Sequence, residues 1–326
     1  MPASRRSKLS KAIAGVTLWL ACGVALAQDY PAKTVRLIVA VAPGGGTDIL
    51  ARQLARRLSE HFNQQIVIDN RPGAGTVIGS EWVAKSAPDG YTLILQVNAL
   101  AANHTLHKKL PYDTLRDFAP VVLIAATPNV PVVHPSLPVK NVQEFVAFAK
   151  ARRNQVNYAS TGLGAAAYLA AEMLQLKTGI KLIHVPYKGT APAMTAMVSG
   201  EAQTMVAALP GTLGFIHAGR IRALAVTGAR RSSAAAAIPT MMEAGIAGYE
   251  FSTWYGLFAP GRTSREIVAK LNQIVNRILT EPDFRAQLAR EGLEPAGGTT
   301  ESFDDYFRAE VVKLREVIIA SGVKAE

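Results

Sequence analysis

The stretch Val35-Arg-Leu-Ile-Val-Ala-Val-Ala-Pro-Gly-Gly-Gly-Thr-Asp48 narrows the possible folds more than any other part of the chain. It is an apolar run, then three glycines, then a Thr-Asp pair that opens a helical pattern. A strand buried on both faces reads as such a run rather than as an alternation. Glycine lets the backbone turn tightly and lets a ligand come close to the main chain. The helix start beyond it offers unpaired N–H groups and a partial positive charge, which suit an anion. The first expectation is an anion seat at the end of a parallel strand.

The order of elements extends that reading. Leu50, Leu54 and Leu58 recur on one helical face, with Arg52, Arg56 and Arg57 turned outward. Gln65–Asp69 reads as a second strand, Asn70–Gly75 as another glycine-rich turn, Thr76–Ser86 as a short helix and Tyr91–Leu95 as a third strand. This is a βαβαβ order, so a parallel sheet follows, with ligands expected beyond the carboxyl ends of its strands. Ala119–Ala126 and Val132–His134 read as two strands joined by the Pro-rich link Thr127–Pro131. Asn141 and Glu144, and later Thr263 and Glu266, read as capping boxes.

The alternation then starts again. Gln155–Tyr158 is a strand, Ala159–Gly164 a glycine loop and Ala165–Lys177 a helix, followed by further strands at Lys181–Val185, Gln203–Leu209 and Arg222–Thr227. Tyr249–Phe258, rich in aromatics, reads as a return crossing, and three helices close the chain. The expected fold is α/β with two domains, each a sheet flanked by helices, joined by two interdomain crossings. Domain 1 comprises 28–127 and 250–326, and domain 2 comprises 128–249.

Met1–Ala27 reads as a secretory signal peptide: Arg5, Arg6, Lys8 and Lys11 precede an apolar run at Ala12–Val24 and a small-residue site at Ala25-Leu26-Ala27. The run is short for a membrane span, and Trp19-Leu20-Ala21 is a poor lead-in to a lipidated Cys22. Cys22 is the single cysteine, so the chain beyond it has no disulfide, thiolate metal site or cysteine nucleophile. The formal charge of +11 falls to +7 without those four basic residues, since no acidic residue leaves with them. That favours anions. The basic residues come as scattered pairs such as Arg56-Arg57 and Arg152-Arg153, not as a stripe with interleaved aromatics, which argues against nucleic acid.

A dinucleotide-binding oxidoreductase is the first alternative. Asp69 ends the second strand, where a ribose-binding acid belongs, and Gly162-x-Gly164-x-x-Ala167 matches the glycine pattern. The better glycine match, however, lies in the other half from Asp69. An exported enzyme acting on a small carboxylate is the second alternative. There is no Gly-x-Ser-x-Gly elbow and no Walker lysine. His104 and His107 lack a further ligand at zinc-like spacing, His184 and His217 stand alone, and Glu81 and Glu172 read as solvated. No nucleophile, base and orienter come together, so no catalytic residue, metal site or cofactor is expected.

Several motifs together resemble the extracytoplasmic solute receptors of the tripartite tricarboxylate transporters, the Bug or TctC-like proteins. They are Tyr30-Pro-x-Lys-x-Val-Arg-Leu-Ile-Val with Pro43-Gly-Gly-Gly-Thr-Asp48, Asp69-Asn-Arg-Pro-Gly-Ala-Gly75, Pro88-Asp-Gly-Tyr91, His184-Val-Pro-Tyr-Lys-Gly189 and Trp254-Tyr-Gly-Leu-Phe-Ala-Pro260. The resemblance implies a periplasmic-binding-protein (Venus-flytrap) fold in the periplasm. It implies a monomer that takes a small organic acid anion and delivers it to membrane permease subunits. Carried over residue by residue, the ligand loop of the first domain is Gly44, Gly45, Gly46, Thr47 and Asp48, with Asn98 at the third strand end; that of the second is Ser160, Thr161 and Gly162, with the helix start at Ala165 and Ala166. Asp48, being negative, is expected to fix its loop rather than touch the anion. The family's helix start is usually polar, and the strand before Leu209-Pro210 often carries an Asp that holds a ligand's amino group. Here the residues are Ala165-Ala-Ala167 and Val206-Ala207-Ala208. A carboxylate without an ammonium group, lying beside these alanines and Ala207, is therefore expected.

Overall fold

Strand β1, Val35–Val39, and its parallel neighbour Thr92–Gln96 are largely apolar and buried, as inner strands of a parallel sheet must be, while the outer neighbour Ile66–Asn70 is half-exposed. A computed structural model describes residues 30–323; the signal segment and Cys22 lie outside the described residues. From Lys33 onward the chain forms one unit. Its elements run α1 (Gly46–Phe62), β2 (Ile66–Asn70), a 3-10 turn (Ala74–Thr76), α2 (Val77–Ala84), β3 (Thr92–Gln96), α3 (Asn98–Leu106) and β4 (Phe118–Val133). Then follow α4 (Val142–Ala151), β5 (Asn157–Ser160), α5 (Ala166–Thr178), β6 (Ile183–Pro186), α6 (Thr190–Ser199), β7 (Thr204–Ala208), α7 (Leu213–His217) and β8 (Arg222–Ala223). The last elements are β9 (Ser252–Pro260), α8 (Arg265–Thr280), α9 (Pro282–Arg290), β10 (Glu294–Pro295) and α10 (Thr300–Ser321).

The sheet order is β2-β1-β3-β9-β4-β7-β5-β6, with β8 and β10 also on β4. The expected break in the Pro-rich link is absent: β4 runs as one strand from Phe118 to Val133. The prolines fit because their donors are not needed. Pro131 accepts from Leu224 N–H, so its nitrogen faces the side where β8 is only two residues long. Asn129 takes over on the same side with Thr227, whose hydroxyl accepts from Asn129 N–H.

Strand directions place the open ground. β3 and β4 are both antiparallel to β9, so they run the same way as each other. Past Pro128, β7 is antiparallel to β4, and β5 and β6 run with β7. The carboxyl ends of β1 and β3 therefore point at the carboxyl ends of β5, β6 and β7. Gln96, the last residue of β3, is level through Gly256 with Leu123, whereas Ala208, the last of β7, is level with Asn129. At about 3.3 Å per residue, roughly 20 Å of β4 separates the two edges.

The core is aromatic where β9 meets α10. Trp254 lies 5.9 Å from Phe307 and Phe258 lies 5.0 Å from Phe303, ring centre to ring centre. Gly256 is required there, since a β-carbon would stand 2.2 Å from Phe303 Cζ. Buried Glu310 accepts from Trp254 Nε1 at 3.1 Å and Lys313 Nζ at 3.1 Å. Helix α10 packs on both α3 and α5, tying the two half-sheets at one side. Cap chemistry matches the expectation at Asn141, which accepts from Glu144 N–H. The second cap is Ser264, not Thr263: Ser264 Oγ accepts from Ile267 N–H, while Thr263 is buried with its hydroxyl unpaired. Phe258→Ala is expected to lower unfolding free energy by about 3–5 kcal/mol, read from the urea midpoint, because four rings lose a partner. A loss below about 1 kcal/mol would contradict the packing described.

Candidate functional site

A helix that follows a parallel strand begins with N–H groups no earlier turn can satisfy. Here those starts are left without side-chain caps. The N-cap residues after β1, β2, β3, β5, β6 and β7 are Gly45, Thr76, Val97, Ala165, Gly189 and Thr212, and none of their side chains bonds back. Of the helices that start elsewhere, α4, α8 and α10 are capped by Asn141, Ser264 and Thr299, and α9 opens on Pro282 without a side-chain cap. The free donors thus gather at the two facing edges.

The first loop is held from behind. Asp48 Oδ2 accepts from Gly44 N–H at 2.9 Å and from Arg52 Nε at 3.0 Å; Oδ1 accepts from Arg52 Nη2 at 3.1 Å and Asn70 Nδ2 at 2.9 Å. Burial would raise the Asp48 carboxyl, but the bonds from Arg52, Gly44 and Asn70 outweigh it and hold it below its ordinary value. Asp48 is 2% exposed and turned into the loop. Gly44 and Gly46 are exposed, Gly45 and Thr47 half-buried. Tyr255 reaches the same place from β9. A β-carbon on Gly46 would stand 3.6 Å from its hydroxyl, Tyr255 is 4% exposed, and no group among the described residues bonds that hydroxyl.

The second loop is also held from behind, by a histidine. Ser160 Oγ lies 2.6 Å from His184 Nε2 and accepts from Gly162 N–H at 3.1 Å. His184 does not stand alone: it stacks on Tyr158 at 4.9 Å and packs against Tyr168 at 4.9 Å. Nor is Glu172 solvated. It accepts from the Tyr158 hydroxyl at 2.6 Å and from Gln175 Nε2 at 2.7 Å, and burial raises its carboxyl. Thr161, Gly162, Ala165 and Ala166 are half-buried at the loop face.

Three of the expected side chains are enclosed. Asn98 is 0% exposed; its amide donates to Ser252 O at 3.0 Å and its oxygen accepts from Trp254 N–H at 3.3 Å. Ser160 is spent on His184 and Gly162. Ala207 packs with Met194, Leu209 and Val226. Asn98 is therefore a brace between α3 and β9 and not a surface of the cleft. Helix α3 itself went unread in the sequence, because nearly all of it is buried and it carries no amphipathic period. Tyr255 belongs both to the aromatic crossing and to the Trp254-Tyr-Gly motif, but neither assigns its hydroxyl to the site; the β3–β9 pairing does.

The two edges touch at one side. A β-carbon on Gly164 would stand 2.5 Å from Leu106 Cδ1, and one on Gly75 would stand 3.5 Å from Leu163 O. Asp69 is engaged by Arg71 at 3.0 Å and Arg36 at 3.7 Å, and both guanidiniums lie over Trp82. An open surface depression of about 450 Å³ is lined by His104, His107, Lys108, Asp113, Arg116 and Asp117 among others, and by none of the loop residues. No group of three His, Cys, Asp or Glu among the described residues can hold a metal ion.

The sequence profile of the family described as "Tripartite tricarboxylate transporter family receptor", TctC, matches residues 50–323. Protein BugT of Bordetella pertussis is 36% identical over 300 residues, covering 91% of this chain and 92% of BugT. Among solved structures, Rpa4515 of R. palustris with adipate superposes with a TM-score of 0.86 at 37% identity, over 90% of this chain and 99% of that one. MatC of Rhodopseudomonas palustris with bound malate gives 0.83 at 30% identity, over 89% and 100%.

Asp48→Asn should loosen the first loop, lowering stability by about 1–3 kcal/mol at neutral pH. The folded carboxyl lies below 3.8, so its contribution is complete above about pH 4 and fades as pH falls through the lower folded value. The gap in Tm between wild type and variant should therefore close in acid; a gap that stays constant would contradict the network.

Proposed function

The chain belongs to the tripartite tricarboxylate transporter receptor family, and from that premise we propose that it captures a small organic carboxylate between the two facing loops, for delivery to the membrane permease subunits of such a transporter. The observation that carries this reading is the pair of uncapped helix starts at Gly45 and Ala165, one on each edge, with the unpaired Tyr255 hydroxyl beside the first. A carboxylate needs several aligned donors and no covalent chemistry, and each hydrogen bond to a charged group contributes about 1.5–3 kcal/mol. Gly45, Gly46 and Thr47 supply donors on one side. On the other, Gly162 N–H is held by Ser160 Oγ and Ala165 N–H by Gly162 O, so the free donors begin at Ala166, the first residue of α5.

Residues 28–127 with 250–326 act as one lobe and 128–249 as the other, hinged where β4 changes partner near Pro128 and where the chain returns at Phe251. The receptor works in the periplasm as a monomer, without catalysis and without a cofactor. Among the described residues no helix is long and apolar enough to cross a membrane.

The ligand has no ammonium group. No acidic side chain stands at the end of β7, where Ala207 and Ala208 lie, and Ala165 and Ala166 leave room for an apolar chain. Adipate in one similar receptor and malate in another are of this class.

A thermal-shift screen should show stabilisation by dicarboxylates such as adipate or malate and none by aspartate or glutamate. Stabilisation by α-amino acids alone would refute the assignment. Tyr255→Phe should weaken binding of the carboxylate found by about 10- to 150-fold, the worth of one hydrogen bond to a charged group, in calorimetric titration. An unchanged Kd would remove Tyr255 from the site.

A further inference from the structure

His184 lies one layer behind the loop that faces the ligand. We propose that His184 is a positioning residue: it acts through Ser160 Oγ on the Gly162 N–H and makes anion binding at this loop proton-linked. The inference rests on the reading of the cleft as a carboxylate site and assigns its second-half loop a regulator.

The geometry leaves little freedom. Ser160 Oγ has three neighbours: His184 Nε2 at 2.6 Å, Gly162 N at 3.1 Å and Gly162 O at 3.3 Å. A hydroxyl has one proton to give. With Nε2 bare, Ser160 donates to it and accepts from Gly162 N–H. With Nε2 protonated, the ring donates to Ser160, whose own proton turns to Gly162 O. One protonation therefore reorients the bond that fixes Gly162 and adds a positive charge behind the loop.

The ring is held so that it can report rather than move. Tyr158 on β5 stacks on it with 26° between planes, and Tyr168 on α5 packs against it at 54°. Burial pushes His184 below its ordinary value, so it is neutral at neutral pH in the empty protein. The ionisable groups around it are few. Tyr158 and Tyr168 are held protonated by burial; Glu172 on α5 is bound by Tyr158 and lies near Lys181; burial alone sets the His184 shift.

The sign follows from linkage. A carboxylate at the start of α5, in front of this loop, favours the charged ring behind it, so binding raises the His184 pKa and takes up a proton. Affinity then rises as pH falls from the value in the complex to the value in the empty protein. A rise of about 0.5–1 in that pKa makes binding about 3- to 10-fold tighter in acid.

The test uses ¹⁵N-labelled protein and adipate as probe. In the empty protein, as pH is lowered from about 8 through the region below 6.5, the Gly162 amide shift should follow the His184 ring with one midpoint, and Ser160→Ala should uncouple them while the ring still titrates. Adipate Kd should tighten in acid for wild type and be flat with pH for His184→Gln, which keeps a hydrogen-bonding group but takes no charge. A Gly162 amide indifferent to the ring, or a pH dependence that survives His184→Gln unchanged, overturns the proposal. If adipate does not bind but the amide follows the ring, the relay stands and adipate as a ligand of this receptor falls.

Discussion

One strand fixes where a ligand can go. β4 is antiparallel to β9 in its first part and to β7 in its second. Parallel strands place their helix starts at their carboxyl ends, and this arrangement turns two such edges toward each other. Had β7 been parallel to β4, the donors of both halves would point the same way, and those of the second half would lie at its far end. The opposition of Gly45 with Ala165 is thus a consequence of strand direction, not of any single loop.

Each loop then divides its work between layers. In the first, a buried acid consumes the N–H of Gly44 and draws in Arg52 and Asn70, leaving the next amides free. In the second, a serine and a histidine hold Gly162. The charged and aromatic groups lie behind, and the backbone lies in front. Small residues are needed in front for two reasons: the main chain must be reachable, and the two edges must close on each other at Gly164 and Leu106.

Much of this was legible in the sequence. The apolar run before the glycines, the repeated strand–glycine–helix order and the cap at Asn141 all describe local physics, and the structure keeps them. What was illegible depends on neighbours distant in sequence. Pro131 looks like a break until β8 is seen to need no donor there. Asn98 looks like a cleft residue until Ser252 and Trp254 are found to use its amide. His184 looks solitary because Ser160 and Tyr168 are more than a dozen residues away. Tyr255 is separated from Gly46 by most of the chain, and only the β3–β9 pairing brings them together.

The central claim is that one anion is held by backbone amides from both edges at once. Amide shift mapping with adipate tests it most directly. The account predicts the largest changes at Gly45, Gly46 and Thr47 together with Gly162, Ala165 and Ala166, rising with a single saturation curve. Changes confined to one loop, or centred on the depression at His104, Lys108 and Arg116, would contradict it.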